Sequence, residues 1–147
     1  MNIIKEIINN KCVYVPFILW LLIQISKFIT ELVVNKKINL RRLVGAGGMP
    51  SSHSAVVTSL AVCIGKEYGF DSGIFAIALI MALVVMYDAA GVRRAAGKQA
   101  RILNKILETP SLTTSEVQEK LVEALGHTPI QVFAGAIIGV IVGFLIG

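Results

Sequence analysis

Four long apolar runs constrain this chain more than any other feature of its sequence. They cover residues 12–34, 53–66, 73–90 and 129–147. A helix needs about 20 mostly apolar residues to cross the hydrocarbon core of a bilayer. The last run meets that requirement with a single polar side chain, Gln131. The sequence therefore predicts an all-α, polytopic membrane helix bundle with about four spans, folded as one domain over residues 1–147.

Two of the runs are less regular. Residues 12–34 are long enough but carry Gln24, Lys27 and Glu31, which share one helical face at spacings i, i+3 and i+7. Residues 53–66 are short, and could form either a short span or a helix buried among the others. A polar stripe within a span should face the interior of the bundle, where ionisable groups are a functional signal.

Composition and charge agree with a membrane protein. Hydrophobic residues make up 55% of the chain and charged residues 16%, with a mean hydropathy of +0.76. Soluble domains have roughly 45–50% apolar and roughly 25% charged residues. The net charge of +5 comes from basic residues in short connections between apolar runs, not from one basic face with interleaved aromatics. We therefore expect the membrane, and not nucleic acid, as the partner.

The basic connections predict the orientation. Residues 35–49 and 91–126 hold most of the lysines and arginines, whereas residues 66–72 balance one lysine with two acids. By the positive-inside rule, we expect the first connection, residues 35–49, and the third, residues 91–126, to face the cytoplasm. The predicted location is the cell membrane. Residues 91–107 and 114–125 of the third connection read as amphipathic helices at the membrane surface, the second with a Thr113/Glu116 capping box.

The stretch GGMPSSHSA, from Gly47, predicts a helix start on the cytoplasmic side. Ser51 can cap the helix, which leaves the N–H groups of Ser52 and His53 directed back toward the glycine-rich turn. Such a helix end, with its partial positive charge, binds phosphate well. The sequence predicts a phosphate site that includes Ser51 and Ser52.

A second stretch, GHTPIQ from Gly126, repeats this arrangement on the same side. Thr128 is an N-cap candidate, Pro129 takes the first helical position and Gln131 completes a capping box, so His127 stands just outside a helix. Two helix ends, each with a histidine, could bind one anion. One imidazole would attack phosphorus and the other would protonate the leaving oxygen, with no metal or cofactor. Basic residues near these ends would add charge, namely Lys27, Arg93 and Arg94.

Other readings of the same residues stay open. Either histidine could be a solvated or capping residue, and Arg93 and Arg94 could be positive-inside anchors. The polar stripe of the first run could fix helix packing. The glycines at positions 135, 139 and 143 form a small-residue ridge, which predicts helix packing or a homodimer through Gly135, Gly139 and Gly143.

Three motifs together resemble a known superfamily. Pro50-Ser51-Ser52-His53 resembles the Pro-Ser-Gly-His motif of type-2 phosphatidic acid phosphatases and vanadium-dependent haloperoxidases. With YDAAGVRRAAGKQARILN from Tyr87 and LGHTPIQVFAG from Leu125, the chain is similar to the divergent branch of that superfamily, from about Gln24 onward. The resemblance implies an acid phosphatase/haloperoxidase-like helical fold.

The resemblance also implies roles for individual residues. His53 matches the general acid and His127 the nucleophile, while Gln131 stands where an orienting aspartate is expected and Asp88 could substitute for it. Lys27 is the candidate for the lysine of the first motif. Leu121 occupies the position of an arginine, so that Arg93 or Arg94 would supply the charge.

The sequence thus predicts a metal-independent phosphatase that acts on a phosphorylated lipid or lipid pyrophosphate through a phosphohistidine, with its mouth on the cytoplasmic side. The sequence also allows two alternatives. The first is a non-catalytic membrane protein that binds or moves phosphorylated lipids. The second is a structural membrane protein assembled through its glycine ridge.

Overall fold

The computed structural model describes residues 2–36, 48–108, 121 and 126–147. Within these residues the chain forms six helices and no strand. The helices are α1 (Ile3–Asn9), α2 (Lys11–Asn35), α3 (Ser52–Tyr68), α4 (Gly73–Ala90), α5 (Val92–Leu107) and α6 (Pro129–Ile146). The protein is an all-helical membrane protein, as its apolar runs predict.

Two predicted features lie outside the described residues. One is the amphipathic helix over residues 114–125 with its capping box, of which only Leu121 is described. The other is most of the first basic connection, residues 37–47.

Three helical segments are long and apolar enough to cross a membrane, namely Lys11–Val34, Gly73–Leu107 and Pro129–Ile146. Helix α3, with 17 residues, is shorter than these segments, and serine and threonine interrupt its apolar residues. It contacts α2, α4 and α6 instead, and nine of its 17 residues are buried. Helix α3 is therefore the centre of the bundle, enclosed by the membrane-length helices.

Helices α3 and α6 run parallel, side by side, over their whole lengths. At their starts the Ser51 N–H donates to the Gln131 carbonyl over 3.0 Å. At their ends Lys66 Nζ donates to the carbonyls of Phe144 and Gly147 over 3.0 and 2.6 Å. With 17 and 18 residues, each helix is about 26 Å long. Helix α3 is thus both a buried helix and one that extends as far as its membrane-length neighbour.

Two buried hydroxyl groups in the middle of α3, those of Thr58 and Ser59, donate to carbonyl groups. Thr58 Oγ1 donates to the Ser54 carbonyl over 2.7 Å and lies 3.2 Å from the Ala136 carbonyl of α6. Ser59 Oγ donates to the Val56 carbonyl over 2.9 Å. Such bonds remove the cost of burying a hydroxyl group and leave α3 with a narrow surface against which another helix can pack closely.

The glycine ridge of α6 uses that narrow surface. A Cβ atom at Gly135 would meet the Ser51 carbonyl, one at Gly139 would meet Thr58, and one at Gly143 would lie 2.7 Å from Val62 Cβ. The ridge therefore packs helices within one chain. A homodimer through the same glycines would compete with α3, and it stays a prediction.

A methyl group added to the ridge should separate α3 from α6. We expect Gly139→Ala to lower the free energy of unfolding by about 1–3 kcal/mol, the usual cost of overpacking, measured as a fall in the thermal midpoint in detergent. The matched control is Gly73→Ala, because nothing lies within 4 Å of a Cβ atom there. The control should be neutral or slightly stabilising, and equal losses in both variants would contradict the packing described for the ridge.

Candidate functional site

Three helix N-termini meet at one end of the bundle. Helix α3 begins after Ser51, α5 after Gly91 and α6 after Thr128. The Ser51–Gln131 backbone bond joins the first and third of these ends. The unpaired N–H groups of a helix start carry a partial positive charge of about half an elementary charge. This end of the bundle therefore favours an anion.

Side-chain caps form the starts of α3 and α6. Ser51 Oγ accepts from the Ser54 N–H over 3.3 Å and from the Ser54 hydroxyl over 3.0 Å. Thr128 and Gln131 form the capping box that the sequence predicts, with each side chain accepting from the other's backbone N–H. The fully buried Ser51 hydroxyl is thus occupied by its own helix, and so holds the end of α3 in position.

The two histidines lie against each other at these helix ends. Their ring centroids are 5.9 Å apart with an angle of 61° between the planes. His127 is 2% exposed, and its backbone N–H donates to the backbone carbonyl of Ala89, at the end of α4, over 2.9 Å. His53 Nδ1 and His127 Nε2 are buried and have no hydrogen-bond partner among the described residues. The structure therefore brings together the two residues that the sequence assigns to chemistry.

Gln131 determines which nitrogen of His127 carries the proton. Its Oε1 accepts the Thr128 N–H over 3.0 Å and also lies 3.3 Å from His127 Nδ1. Because the Thr128 N–H can only donate, the Gln131 atom that it meets must be the oxygen, and His127 Nδ1 must then donate to that oxygen. The lone pair of neutral His127 is therefore on Nε2, the buried nitrogen without a described partner.

The surroundings of His127 favour its neutral form. Burial is the largest effect and lowers the pKa of His127, the Gln131 hydrogen bond opposes it, and the charges of Lys27 and Arg93 lower the pKa further. A neutral imidazole has a nucleophilic lone pair, whereas an imidazolium has none.

Arg93 connects α5 to this pair of rings. Its Nε lies 2.7 Å from Asp88 Oδ2 at the end of α4, and its Nη1 lies 3.4 Å from His53 Nε2. The sequence-based alternative of Asp88 as the residue that orients His127 has no support in this geometry, because within the described chain Asp88 binds Arg93 and Gln131 contacts His127. Asp88 instead directs the Arg93 guanidinium toward His53.

Lys27 brings a cation to the site from α2. It is 7% exposed, and its Nζ lies 3.5 Å from Ser52 Oγ in the first turn of α3. Its Cδ would lie 3.8 Å from a Cβ atom at Gly48, which has a φ of +79°. Gln24, one turn deeper on the same helix face, is also buried. Gln24 and Lys27 of the polar stripe thus face the bundle interior, as their spacing predicts, while Glu31 is half-buried.

Unlike Arg93, which contributes its side chain to the site, Arg94 contributes its backbone. Its side chain is exposed, and its backbone packs against Gly126. At Gly126, with φ of +84°, a Cβ atom would meet the Arg94 N atom and lie 2.7 Å from the Arg93 carbonyl carbon. In the sequence analysis Gly126 is only the first residue of the GHTPIQ stretch, whereas in the structure this glycine lets the backbone pass close to the start of α5. A glycine directly before a site histidine was the available signal.

Comparison with known proteins agrees with the family that the sequence motifs resemble. The sequence model of the Divergent PAP2 family matches residues 8–142. The chain belongs to the Divergent PAP2 family. It is also similar to the uncharacterized membrane protein YuiD of Bacillus subtilis (strain 168), with 40% identity over 129 residues, covering 80% of this chain and 82% of that protein. No solved structure matches it.

The match to the Divergent PAP2 family includes every residue of the candidate site. Lys27, His53, Arg93, His127 and Gln131 all lie within residues 8–142. Membership agrees with the resemblance read from the sequence motifs, and relates the chain to a phosphatase superfamily.

The titration of His127 tests the site geometry directly. With two histidines in the chain, nitrogen NMR of the imidazoles can follow each ring, and a His53→Gln variant assigns them. We expect His127 to titrate below about 6.5, the ordinary value for histidine, with Nδ1 protonated in the neutral ring. Gln131→Glu keeps an oxygen for the capping box and adds a negative charge, so it should raise the pKa. Titration of wild-type His127 above the ordinary value would contradict this geometry.

Proposed function

We propose that the protein is a metal-independent phosphatase that hydrolyses a lipid phosphate or pyrophosphate through a phosphohistidine on His127. The observation that supports this most is the contact between two histidine rings at the junction of three helix N-termini. Each ring could present one nitrogen to a phosphate beside the pair. Arg93 and Lys27 add positive charge from two other helices.

The first step would transfer the phosphoryl group to His127. The Nε2 lone pair attacks phosphorus, forming the N–P bond while the bond from phosphorus to the leaving oxygen breaks, and the electron pair departs with that oxygen. His53 gives a proton to the departing oxygen, and a bound dianionic phosphate favours the protonated His53 that this step needs. Arg93 and Lys27 stabilise the charge on the phosphoryl oxygens.

The second step would release phosphate. Water attacks the phosphorus of phosphohistidine, a new P–O bond forms, and the N–P bond breaks with its electron pair returning to His127 Nε2. His53, now neutral, takes a proton from the water and is restored to its acid form. The oxygen of Gln131 keeps His127 Nδ1 protonated and the ring in place through both steps.

A lipid substrate agrees with the surroundings of the site. A shallow, open apolar depression of about 440 Å³ lies on the surface of the first two turns of α6. It is lined by Pro129, Ile130, Phe133, Ala134 and Ile137. The depression begins two residues after His127, and part of a hydrocarbon chain could lie along it. We propose that the site opens on the cytoplasmic side, on the basis of the positive-inside rule.

Phosphate release from a panel of lipid phosphates and diphosphates, with purified protein in detergent or nanodiscs, tests the activity. We expect His127→Ala to abolish turnover because the nucleophile is lost. We expect His53→Asn to slow the hydrolysis of alkyl phosphates by about 10²–10⁴-fold, the usual contribution of general acid catalysis. Turnover that is unchanged in His127→Ala would remove the mechanism.

A second substrate separates the two roles of His53. Nitrophenolate leaves without a proton, so 4-nitrophenyl phosphate should still phosphorylate His127 in the His53→Asn protein. The second step would then be slow because no base activates water. We expect a burst of nitrophenol close to one equivalent and a trapped phosphohistidine that mass spectrometry can locate at position 127. If the His53→Asn protein loses both the burst and the turnover with this substrate, the role of His53 as the acid is contradicted.

One observation favours a non-catalytic alternative, a membrane protein that binds or moves phosphorylated lipids. Gln131 orients His127 but, as a neutral amide, cannot stabilise an imidazolium as a carboxylate does. Equilibrium binding of a radiolabelled lipid phosphate, measured beside turnover, distinguishes the two functions. Binding without phosphate release, in the wild type and in Gln131→Asp, would favour the carrier or binding function. Turnover in the wild type excludes it.

A further inference from the structure

Helix α5 carries three different faces along its 16 residues. The first face is buried and consists of Gly97, Ala100 and Asn104, at spacings i, i+3 and i+7. The Asn104 amide donates to the Leu121 carbonyl over 2.9 Å and accepts the Leu121 N–H over 3.0 Å. This double hydrogen bond fixes the rotation of α5 about its own axis, and so determines where its other two faces lie.

The second face is basic. It consists of Arg94, Lys98, Arg101 and Lys105. Their separations of four, three and four residues follow the helical repeat, so that the four side chains lie along one line of the helix. A single line of like charges indicates a partner that carries many negative charges over an extended surface.

The third face is apolar and uncovered. Ile102 is 59% exposed and Ile106 46% exposed, and Leu103 lies beside them. Water contact with a row of such side chains is unfavourable, and it is removed if the face enters an apolar medium. A helix with one exposed apolar face and an adjacent basic face is the pattern of a helix that lies in a membrane interface.

The connection to α4 puts α5 at the edge of the bilayer. Helix α4 is part of a membrane-length apolar segment, and its regular geometry ends at Gly91, where φ is −102° and ψ is −85°. Helix α5 therefore begins at a break in the helical geometry directly after the apolar run 73–90, and we place the edge of the hydrocarbon core at this break. Acidic phospholipid headgroups lie at this level in a bilayer, and their charge complements that of the basic face.

We propose that α5 is a membrane-surface helix that binds acidic phospholipids, with Ile102, Leu103 and Ile106 among the acyl chains and the basic face on the lipid phosphates. Near an acidic leaflet each basic side chain strengthens such binding about fivefold. Lipid binding by α5 stands independently of catalysis. One consequence rests on the proposed phosphatase function: since Arg93 begins the same helix and contacts His53, α5 concentrates anionic lipids beside the catalytic pair.

The depth of α5 in the bilayer tests this proposal without measuring catalysis. An environment-sensitive fluorophore is attached to Ile102→Cys in the full-length chain, with Cys12 and Cys63 replaced by alanine. The protein is reconstituted into phosphatidylcholine vesicles with or without phosphatidylglycerol, and quenching by spin-labelled lipid is recorded. We expect stronger quenching with phosphatidylglycerol, and a decrease as salt shortens the Debye length from about 10 Å at 0.1 M to about 3 Å at 1 M.

Paired variants separate the basic face from general charge. Arg94→Gln with Lys98→Gln should lower the ratio of immersed to exposed probe by about 25-fold in acidic vesicles, at about fivefold per side chain. The matched control is Lys5→Gln with Lys11→Gln. It removes two exposed lysines, one in α1 and one at the first residue of α2, which are not part of α5. The control should leave the quenching unchanged. Because the salt dependence is measured on unmodified basic residues, it remains informative if the double variant folds poorly.

Two results would overturn the proposal. A probe at position 102 that stays in water in both kinds of vesicle would mean that the apolar face of α5 does not enter the bilayer. Equal quenching with and without phosphatidylglycerol would mean that α5 does not recognise acidic lipid. Neither result bears on phosphate release, so failure of this proposal is distinguishable from failure of the phosphatase function.

Discussion

The close contact between α3 and α6 is the constraint on which the rest of the structure depends. Between membrane helices there is no hydrophobic driving force, so association depends on close packing and on hydrogen bonds. The glycines of α6 and the small side chains of α3 supply the packing, and the Ser51–Gln131 backbone bond sets the register. If α6 shifted by one turn along α3, His127 would move about 5 Å along the helix axis relative to His53.

Gln131 occupies a central place in this arrangement. Its backbone carbonyl accepts the backbone N–H of Ser51. Its side chain caps α6 and holds the ring of His127. One residue thus aligns two helices and selects a tautomer. A carboxylate at this position would orient the same ring but would also favour the imidazolium. The amide leaves Nε2 unprotonated over a wider range of pH, and gives up stabilisation of the positive charge.

Much of the fold and the site could be predicted from the sequence because local rules determine them. Apolar length predicted the membrane helices, and capping residues predicted the starts of α3 and α6. The position of His53 and His127 on one side of the membrane followed because both helices begin there. These inferences needed no knowledge of how the helices pack, whereas the contact between the two rings depends on the packing of α3 against α6.

The remaining features depend on tertiary geometry. The Asp88–Arg93 pair forms across the break at Gly91, and sequence spacing does not give the direction in which a chain turns at such a break. Arg93 and Arg94 looked equivalent in sequence, but successive helical residues point about 100° apart, so that only Arg93 contacts His53. The role of Gly126 depended on the position of α5.

The parallel arrangement of α3 and α6 has an energetic consequence for folding. Neighbouring helices that start at the same end bring two partial positive charges together, and the start of α5 adds a third. Their mutual repulsion acts against the bundle until a negative charge arrives. An anion that binds there relieves repulsion among all three helices, so binding and folding are linked through the same free energy. The midpoint of thermal unfolding would therefore measure occupancy, rising with the concentration of any phosphate compound that the site accepts, whether or not it is hydrolysed.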